Sequence, residues 1–340
     1  MKLVIVTDAW FPQVNGVVRS LKRVEELLCE GGDEVTVISP QGFATVPLPT
    51  YPDIRLALTS ARRLGRMIEA AAPDFVHIAT EGPLGLLARR HCLKAGQSFT
   101  TSYHTRFPEY LRARAPVPLS LSYRLMRRFH NAGAGCMVAT ASLEAELAER
   151  GFRHLMRWSR GVDAELFRPR AGADLGLKRP VFLNVGRVAV EKNLAAFLAL
   201  DLPGTKAVIG GGPALGQLKA RFADAVFLGE MHGEELAQAY AGADVFVFPS
   251  LTDTFGNVLL EALASGLPVA AYPVTGPADV VTDPAVGVLS EDLGEAALQC
   301  LKLSKEAARE FALRFTWEAS VAQFRDNLVG AQGLPEAVAA

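Results

Sequence analysis

Residues 244–272 read DVFVFPSLTDTFGNVLLEALASGLPVAAY, and they contain a strand, a helix and a second strand in direct succession. The apolar run 244–249 is short and rich in valine and phenylalanine, which favours a buried strand. A glycine-containing loop leads to the helical segment 257–265, and the apolar run 268–272 follows. Two buried strands joined by a helix are typical of a parallel sheet with helices on both faces. The stretch therefore predicts an α/β fold with a doubly wound parallel sheet.

The same alternation of strands and helices occurs along the whole chain, in two cycles. Further strands are predicted at 3–6, 34–39, 74–79, 98–102, 136–140, 181–185, 206–209 and 225–228. The proline-rich segment 40–52 is predicted to be a loop. We therefore predict two Rossmann-like domains, at residues 1–160 and 161–315. Residues 316–340 are predicted to form a helix that packs back on the first domain, followed by a tail.

The composition excludes several classes of protein. Half of the 340 residues are hydrophobic and 21% are charged, which excludes a disordered chain. The formal net charge of −1 argues against a general nucleic-acid binder. Residues 1–160 nevertheless carry a net charge of +7, and residues 161–340 one of −8. The basic half either contacts an anionic surface or reflects an accident of surface composition, and both interpretations stay open.

Cysteine spacing and hydropathy indicate the compartment. The four cysteines are far apart and form no CxxC pair, so a reducing compartment is expected. The apolar run in the N-terminal MKLVIVTD is too short for a secretory signal. The sequence has no run of about 18 apolar residues, so we expect a protein that is soluble or lies on a membrane without crossing it.

Sheets of this type bind ligands at the carboxyl ends of their strands, so the loops there indicate the ligand. Neither domain opens with a GxGxxG loop, which disfavours a dinucleotide. The glycines 210–212 form either a tight turn or a contact to phosphate. Amide groups at the start of the helix near Asn257 are suited to an anion such as a pyrophosphate. Asp253 in the preceding loop and Glu261 inside the helix would accept hydrogen bonds from sugar hydroxyls.

Residues 249–268 resemble the signature of the retaining glycosyltransferases of family 4, which have the two-domain GT-B fold. In that family an acid-x7-Glu motif binds the donor: the first acid contacts the sugar, and the glutamate binds the ribose of the nucleotide. The resemblance assigns these roles to Asp253 and Glu261. It also places Phe255, Gly256 and Asn257 in the donor site. Many relatives carry glutamate at the first position, so the shorter Asp253 leaves the donor sugar open.

Two other segments extend the resemblance over nearly the whole chain. Residues 184–193, NVGRVAVEKN, are similar to the family's Gly-Arg…Glu-Lys-Asn block, whose arginine and lysine hold the donor diphosphate. Arg187 and Lys192 match these positions, and a forked guanidinium with a point charge suits a diphosphate. Residues 15–18, NGVV, resemble the N-terminal glycine loop, in which Gly16 would let the backbone approach the donor phosphate and the acceptor.

His104 and Arg160 complete the predicted site. Residues 102–105, SYHT, follow a predicted strand and resemble the family's cleft histidine, which implies that His104 contacts the donor sugar. Residues 158–163, WSRGVD, are similar to the interdomain segment of the family, in which Arg160 would meet a phosphate of the donor or acceptor. The predicted catalytic residues are His104, Asp253, Arg187 and Lys192.

Within the family, the sequence looks most like enzymes that glycosylate lipids. These are the sulfoquinovosyl-, glucosyl- and glucuronosyl-diacylglycerol synthases, with GDP-mannose-dependent alpha-mannosyltransferases nearby. Residues 106–128 support a lipid acceptor because they mix basic and apolar residues in what is predicted to be one helical stretch. Its arginines are Arg106, Arg112, Arg114, Arg124, Arg127 and Arg128. We predict that the stretch contacts an anionic membrane or the acceptor, and a solvated basic helix is the alternative.

Together these features predict a retaining glycosyltransferase that moves a hexose from a nucleoside diphosphate sugar to a lipid hydroxyl such as that of diacylglycerol. A UDP-sugar is favoured as the donor, and GDP-mannose is the alternative. The family implies that the leaving diphosphate helps to deprotonate the acceptor, so no metal or cofactor is expected. We predict a cytoplasmic protein on the inner face of the membrane, without a nucleic-acid partner. Alternatives are a soluble or undecaprenyl-linked glycan acceptor, and a nucleotide-sugar-binding protein without turnover.

Overall fold

A computed structural model describes residues 1–13, 15–48, 51–112 and 115–332. The chain divides into two compact units. Unit 1 comprises residues 1–159 and 318–332, and unit 2 comprises Arg160–Trp317. Arg114 and the predicted tail at 333–340 lie outside the described residues.

Unit 1 contains a six-stranded parallel sheet. Its strands are β1 (Lys2–Val6), β2 (Glu34–Ile38), β5 (Phe75–Ile78), β6 (Thr100–Ser102), β7 (Gly135–Val138) and β8 (Leu155–Arg157), beside a hairpin of β3 (Ala44–Leu48) and β4 (Tyr51–Leu58). Its helices are α1 (Gly16–Glu30), α2 (Ala61–Ala71), α3 (Pro83–Ala95), α4 (Phe107–Arg112), α5 (Leu119–His130), α6 (Ala141–Glu149) and, at the end of the chain, α14 (Trp317–Gln332). The strand order is β2-β1-β5-β6-β7-β8.

Unit 2 has a second parallel sheet of the same size. Its strands are β9 (Val181–Val185), β10 (Thr205–Ile209), β11 (Val226–Gly229), β12 (Val245–Phe248), β13 (Val269–Ala271) and β14 (Gly287–Leu289). Its helices are α7 (Leu194–Leu198), α8 (Leu215–Arg221), α9 (Gly233–Ala241), α10 (Asn257–Ala264), α11 (Pro277–Val280), α12 (Leu293–Cys300) and α13 (Lys305–Ala312). The strand order is β11-β10-β9-β12-β13-β14.

The central strands explain the continuous apolar runs of the sequence. Every residue of β7, β9 and β12 is buried, because helices cover both faces of each parallel sheet. In such strands polar and apolar residues do not alternate along the sequence, as they do in a strand that has one face in water. The doubly wound α/β prediction is confirmed in both units.

Helix α14 belongs to the core of unit 1, where it shares an apolar cluster with α1. The rings of Phe324 and Trp158 lie 4.8 Å apart, and both side chains are fully buried. Nε1 of Trp158 donates to Ser320 Oγ at 3.2 Å, and the Ser320 hydroxyl donates to the Ser159 carbonyl at 2.8 Å. The last helix of the chain is thereby fixed to the segment that follows β8.

The segment predicted to be a proline-rich loop forms an antiparallel hairpin instead. β3 pairs with β4, so the loop prediction for 40–52 is wrong for residues 44–48 and 51–52, while Pro49 and Thr50 lie outside the described residues. Pro47 lies within β3, opposite Arg55. In a two-stranded ribbon each strand has an outer edge that needs no partner, so a proline, which has no N–H to donate, is tolerated there.

His130, at the end of α5, is buried and held at both ring nitrogens. Nδ1 lies 2.9 Å from Thr101 Oγ1 on β6, and Nε2 lies 3.1 Å from Glu81 Oε1. Burial lowers the pKa of His130, but the Cys136 sulfur and the Glu81 carboxylate outweigh burial and raise that pKa to about 10. This environment favours the protonated imidazole in the folded protein.

We expect unit 1 to lose stability at alkaline pH. A histidine whose folded pKa exceeds its unfolded value of about 6.5 contributes its full stability below that value. It loses the contribution as the pH rises towards 10. Urea unfolding followed from pH 6.5 to 9.5 should show a fall in the unfolding free energy on the order of 3 kcal/mol. Glu81→Gln should remove part of this slope, because the Cys136 sulfur also raises the pKa of His130, and an unchanged slope in that variant would contradict a contribution from Glu81.

Candidate active site

Two paired strands of unit 2, β9 and β12, carry the predicted donor residues in the loops at their carboxyl ends. The loops are residues 186–193 and 249–256. Asn193 Nδ2 donates a hydrogen bond of 3.1 Å to the Pro249 carbonyl, which fastens the first loop to the second. Side chains that are far apart in the sequence are thereby held side by side at one edge of the sheet.

The two loops bring the predicted residues Lys192 and Asp253 into direct contact. Lys192 Nζ lies 2.6 Å from Asp253 Oδ1, and the two side chains are only 24% and 16% exposed. The second carboxylate oxygen, Asp253 Oδ2, is buried and has no hydrogen-bond partner among the residues described. Because a buried acceptor without a donor is unfavourable, the arrangement is suited to a ligand that supplies a hydroxyl group.

Arg187 lies in the loop after β9 and is half-buried. The glycine turn 210–212 supports this loop by close approach of the two backbones. A methyl group on Gly210 would lie 1.9 Å from the Gly186 carbonyl oxygen, so a side chain has no room there. This close approach explains the glycine at position 210, and a contact of residues 210–212 with phosphate stays a prediction.

The start of α10 is shaped by Gly256 and Phe255. Gly256 is the N-cap residue and has φ +88°, in the left-handed region that favours glycine. The Phe255 side chain is buried and anchors the loop before it. Asn257 is the first residue of the helix, and the first amide groups of a helix have no partner within the helix. The loop therefore ends in a group of N–H donors suited to an anion.

Glu261 lies one turn further along α10 and is also buried. Its Oε2 accepts a hydrogen bond of 3.0 Å from Tyr240 Oη on α9. Sequence reasoning did not find Tyr240, because it belongs to no motif and lies 21 residues before Glu261. Only the topology brings the two together, since α9 precedes β12 and α10 follows it.

The predicted residues of unit 1 lie at the carboxyl ends of its own strands. Gly16 is the first residue of α1, and the Asn15 side chain caps this helix by accepting two backbone N–H groups. His104 follows β6, and its ring packs edge-on against the ring of Trp158 with centroids 5.5 Å apart. Trp158 in turn is held by α14, so the position of His104 depends on the last helix of the chain.

Comparisons with known proteins identify the family. Residues 14–166 match the family model described as Glycosyltransferase Family 4, and residues 179–306 match Glycosyl transferases group 1. A GDP-mannose-dependent alpha-mannosyltransferase of Mycobacterium tuberculosis is 31% identical, over 85% of this chain and 83% of that protein. The chain belongs to glycosyltransferase family 4.

A further relative agrees with this assignment, and a solved structure agrees with the fold. The alpha-monoglucosyldiacylglycerol synthase of Streptococcus pneumoniae is 26% identical, over 88% of this chain and 78% of that protein. The sucrose-phosphate synthase of Thermosynechococcus elongatus has a TM-score of 0.74, with 19% identity over 95% of this chain and 97% of that one. The last likeness concerns the fold alone, and it agrees with a GT-B fold of two Rossmann-like domains. As a family 4 member, the protein is a glycosyltransferase.

Arg160 is a buried cation of this glycosyltransferase. It is the first residue of unit 2, its side chain is buried, and burial lowers the pKa of its guanidinium to about 9. The contact of Arg160 with a donor or acceptor phosphate stays a prediction.

The basic stretch 106–128 does not form the single helix that was predicted. It contains α4 (Phe107–Arg112) and most of α5 (Leu119–His130). Pro116 and Pro118 lie between them, and proline both lacks an N–H donor and disfavours a helical conformation in the residue before it. The prediction of one continuous helix is therefore wrong.

Arg106 does not belong to the exposed basic surface. Its side chain is buried, and its guanidinium donates to both carboxylate oxygens of Glu146, at 3.1 and 2.6 Å. The prediction that Arg106 contacts a membrane is therefore wrong, because a carboxylate from α6 already neutralises it. Arg124, Arg127 and Arg128 are exposed on α5, and their contact with a membrane or the acceptor stays a prediction.

The described ranges contain neither a metal-binding cluster nor a helix that could span a membrane. Among these residues no group of three or more His, Cys, Asp and Glu side chains is arranged to hold a metal ion. None of the helices in the same ranges combines the length and the apolar character needed to cross a bilayer.

Proposed function

We propose that this family 4 enzyme transfers a hexose from a nucleoside diphosphate sugar to a lipid hydroxyl such as that of diacylglycerol, with retention of the anomeric configuration. The observation that carries the proposal is the contact between Lys192 and Asp253. It combines a cation suited to phosphate with a buried carboxylate oxygen that lacks a donor. A nucleotide sugar supplies both partners, since its diphosphate is anionic and its sugar carries hydroxyl groups.

The names of the relatives support this class of donor and acceptor. The mycobacterial relative is GDP-mannose-dependent, which is consistent with a nucleotide sugar. The streptococcal relative is a diacylglycerol glycosyltransferase by name, which supports a lipid acceptor. We favour a UDP-sugar as the donor and keep GDP-mannose as the alternative.

The proposed reaction exchanges one bond at the sugar. The bond from C1 to the donor phosphate oxygen breaks, a bond from C1 to the acceptor oxygen forms on the same face, and the acceptor proton passes to the leaving diphosphate. Negative charge grows on that diphosphate, and Arg187, Lys192 and the amide groups at the start of α10 would stabilise it. Asp253 and His104 would orient the sugar. No metal or cofactor is required for these steps.

The exposed side of α5 supports a membrane-bound acceptor. Leu121 and Leu125, one helical turn apart, are 41% and 60% exposed. Arg124 and Arg128 are exposed on the same helix. Apolar side chains that enter the acyl boundary, next to arginines at the headgroups, bind anionic membranes. We propose that this side of α5 lies on the inner face of the cytoplasmic membrane.

A transfer assay tests the proposal as a whole. The purified protein is incubated with diacylglycerol in anionic vesicles and with UDP-glucose, UDP-galactose, UDP-sulfoquinovose or GDP-mannose in turn. We expect one donor to yield a glycolipid whose anomeric proton has the same configuration as in the donor. An inverted product would contradict retention, transfer only to soluble glycans would contradict the lipid acceptor, and binding without any turnover would contradict the enzyme assignment.

We expect the two carboxylates of the motif to act on different parts of the donor. Glu261→Ala should weaken binding of the free nucleoside diphosphate and of the full donor roughly tenfold or more, because it removes a charge-assisted contact to ribose. Asp253→Ala should weaken binding of the full donor only, because Asp253 is proposed to contact the sugar. Binding of the free diphosphate should be spared, because Lys192 loses its carboxylate partner and stays available to the phosphate. Calorimetry with both ligands separates the two variants, with Glu295→Ala, at an exposed position of α12, as the control. Equal losses in both variants would contradict this division.

A further inference from the structure

Unit 2 contains a buried hydrogen bond between a tyrosine and the glutamate of the donor motif. Tyr240 is fully buried on α9, and Glu261 is 6% exposed on α10. Tyr240 Oη donates to Glu261 Oε2 over 3.0 Å. A carboxylate so far from water needs donors that replace its hydration, and the phenol of Tyr240 supplies one of them.

The ring of Tyr240 is fixed by aromatic neighbours. Its centroid lies 5.6 Å from that of Phe167, edge-on at 87°, and 5.8 Å from that of Phe246 on β12. A ring held in this way has little freedom to rotate or shift, so its hydroxyl occupies one position. Glu261 has several rotatable bonds, and the hydrogen bond from this hydroxyl selects one orientation of its carboxylate.

We propose that Tyr240 is a positioning residue for nucleotide recognition: its hydroxyl orients the Glu261 carboxylate towards the ribose hydroxyls of the donor. The inference rests on the proposed function, which places Glu261 on the ribose. Tyr240 acts through Glu261 and does not contact the ligand itself. Its contribution therefore depends on the presence of ribose hydroxyls, a dependence that a purely structural role lacks.

Tyr240→Phe tests this directly, because phenylalanine keeps the ring and both aromatic contacts and loses only the hydroxyl. UDP and GDP are titrated into the wild type, and the ligand that binds is compared with its 2′,3′-dideoxy analogue. We expect Tyr240→Phe to lower affinity for the ribonucleotide roughly five- to tenfold, which is the effect of one typical hydrogen bond acting through Glu261. Affinity for the dideoxy analogue should change less than twofold.

Two further variants separate positioning from stability. Glu261→Gln should lower affinity for the ribonucleotide, and adding Tyr240→Phe to it should cause little further loss, because both act through one contact. Tyr123→Phe removes a similar bond, from Tyr123 Oη to Glu109 Oε1 in unit 1, and should leave nucleotide affinity unchanged. Thermal unfolding of each variant shows whether its fold is retained.

The measurements distinguish failure of the positioning role from failure of the proposed function. Equal losses for the ribonucleotide and the dideoxy analogue, additive losses in the double variant, or no loss in Tyr240→Phe would each overturn the positioning role. If the wild type binds the ribonucleotide and its dideoxy analogue equally, the contact between Glu261 and ribose is refuted, and with it the role of Tyr240. Sugar transfer in the vesicle assay would then still support the proposed function. A wild type that binds neither UDP nor GDP would overturn the proposed function itself.

Discussion

Replacing Arg187 or Lys192 by alanine is expected to lower the turnover of the glycosyltransferase roughly 30- to 150-fold. Each substitution removes one cation from the proposed diphosphate site, and a charge-assisted contact in a partly buried site contributes about 2–3 kcal/mol. Because charge accumulates on the leaving diphosphate, much of the loss should appear in kcat. Steady-state kinetics, with calorimetry of the free nucleoside diphosphate, measures both effects.

Lys192 differs from Arg187 in one respect that the variants can reveal. Lys192→Ala leaves the Asp253 carboxylate, only 16% exposed, without its cation, so it should also lower the stability of unit 2. Adding Asp253→Asn to Lys192→Ala should restore stability without restoring affinity for the diphosphate.

A matched control for these variants comes from the same unit. Lys305→Ala removes a lysine that is 44% exposed and lies 3.6 Å from Asp244, so it should leave kinetics unchanged. Near wild-type kinetics in both Arg187→Ala and Lys192→Ala would refute the diphosphate assignment.

The fold could be predicted because buried parallel strands have a simple signature. β9 has the predicted limits, Val181–Val185, and all five of its residues are buried. The apolar run ends where the strand ends, because the loop that follows the strand is more exposed to water. The hairpin of β3 and β4 was missed for the opposite reason. Its prolines and polar residues are typical of loops, and pairing between two strands is not written in the composition of either one.

The motif residues of the site could also be located, but their partners could not. The contact of Lys192 with Asp253 joins two loops whose strands are neighbours, and the order of strands was not available from the sequence. The bond from Tyr240 to Glu261 depends in the same way on how two helices pack. The same limit explains the error at Arg106, because the carboxylate that neutralises it, Glu146, lies on α6 and outside the basic stretch.

Replacing Arg124, Arg127 and Arg128 by serine is expected to lower binding to anionic vesicles by up to about 100-fold. Each basic residue near an anionic bilayer contributes about 1 kcal/mol, a term that salt screens over about 8 Å. The three arginines should not contribute equally to vesicle binding. The Arg127 guanidinium already donates a hydrogen bond of 3.0 Å to the Arg150 carbonyl, so it is less available to lipid headgroups. Restoring Arg127 in the triple variant should therefore recover less binding than restoring Arg124 or Arg128. Sedimentation with vesicles of increasing anionic content measures this.

The apolar part of the same surface gives an independent check and a control. Leu121→Ser with Leu125→Ser should weaken vesicle binding at high salt, where the arginines contribute little. Replacing Lys219, Arg221 and Lys302 by serine removes three exposed charges from unit 2 and should leave vesicle binding unchanged.

The α5 variants should retain donor affinity and lose more activity on diacylglycerol in vesicles than on a short-chain, water-soluble analogue. If the triple arginine variant sediments as the wild type does, this side of α5 is only solvated, and a soluble acceptor becomes the better proposal.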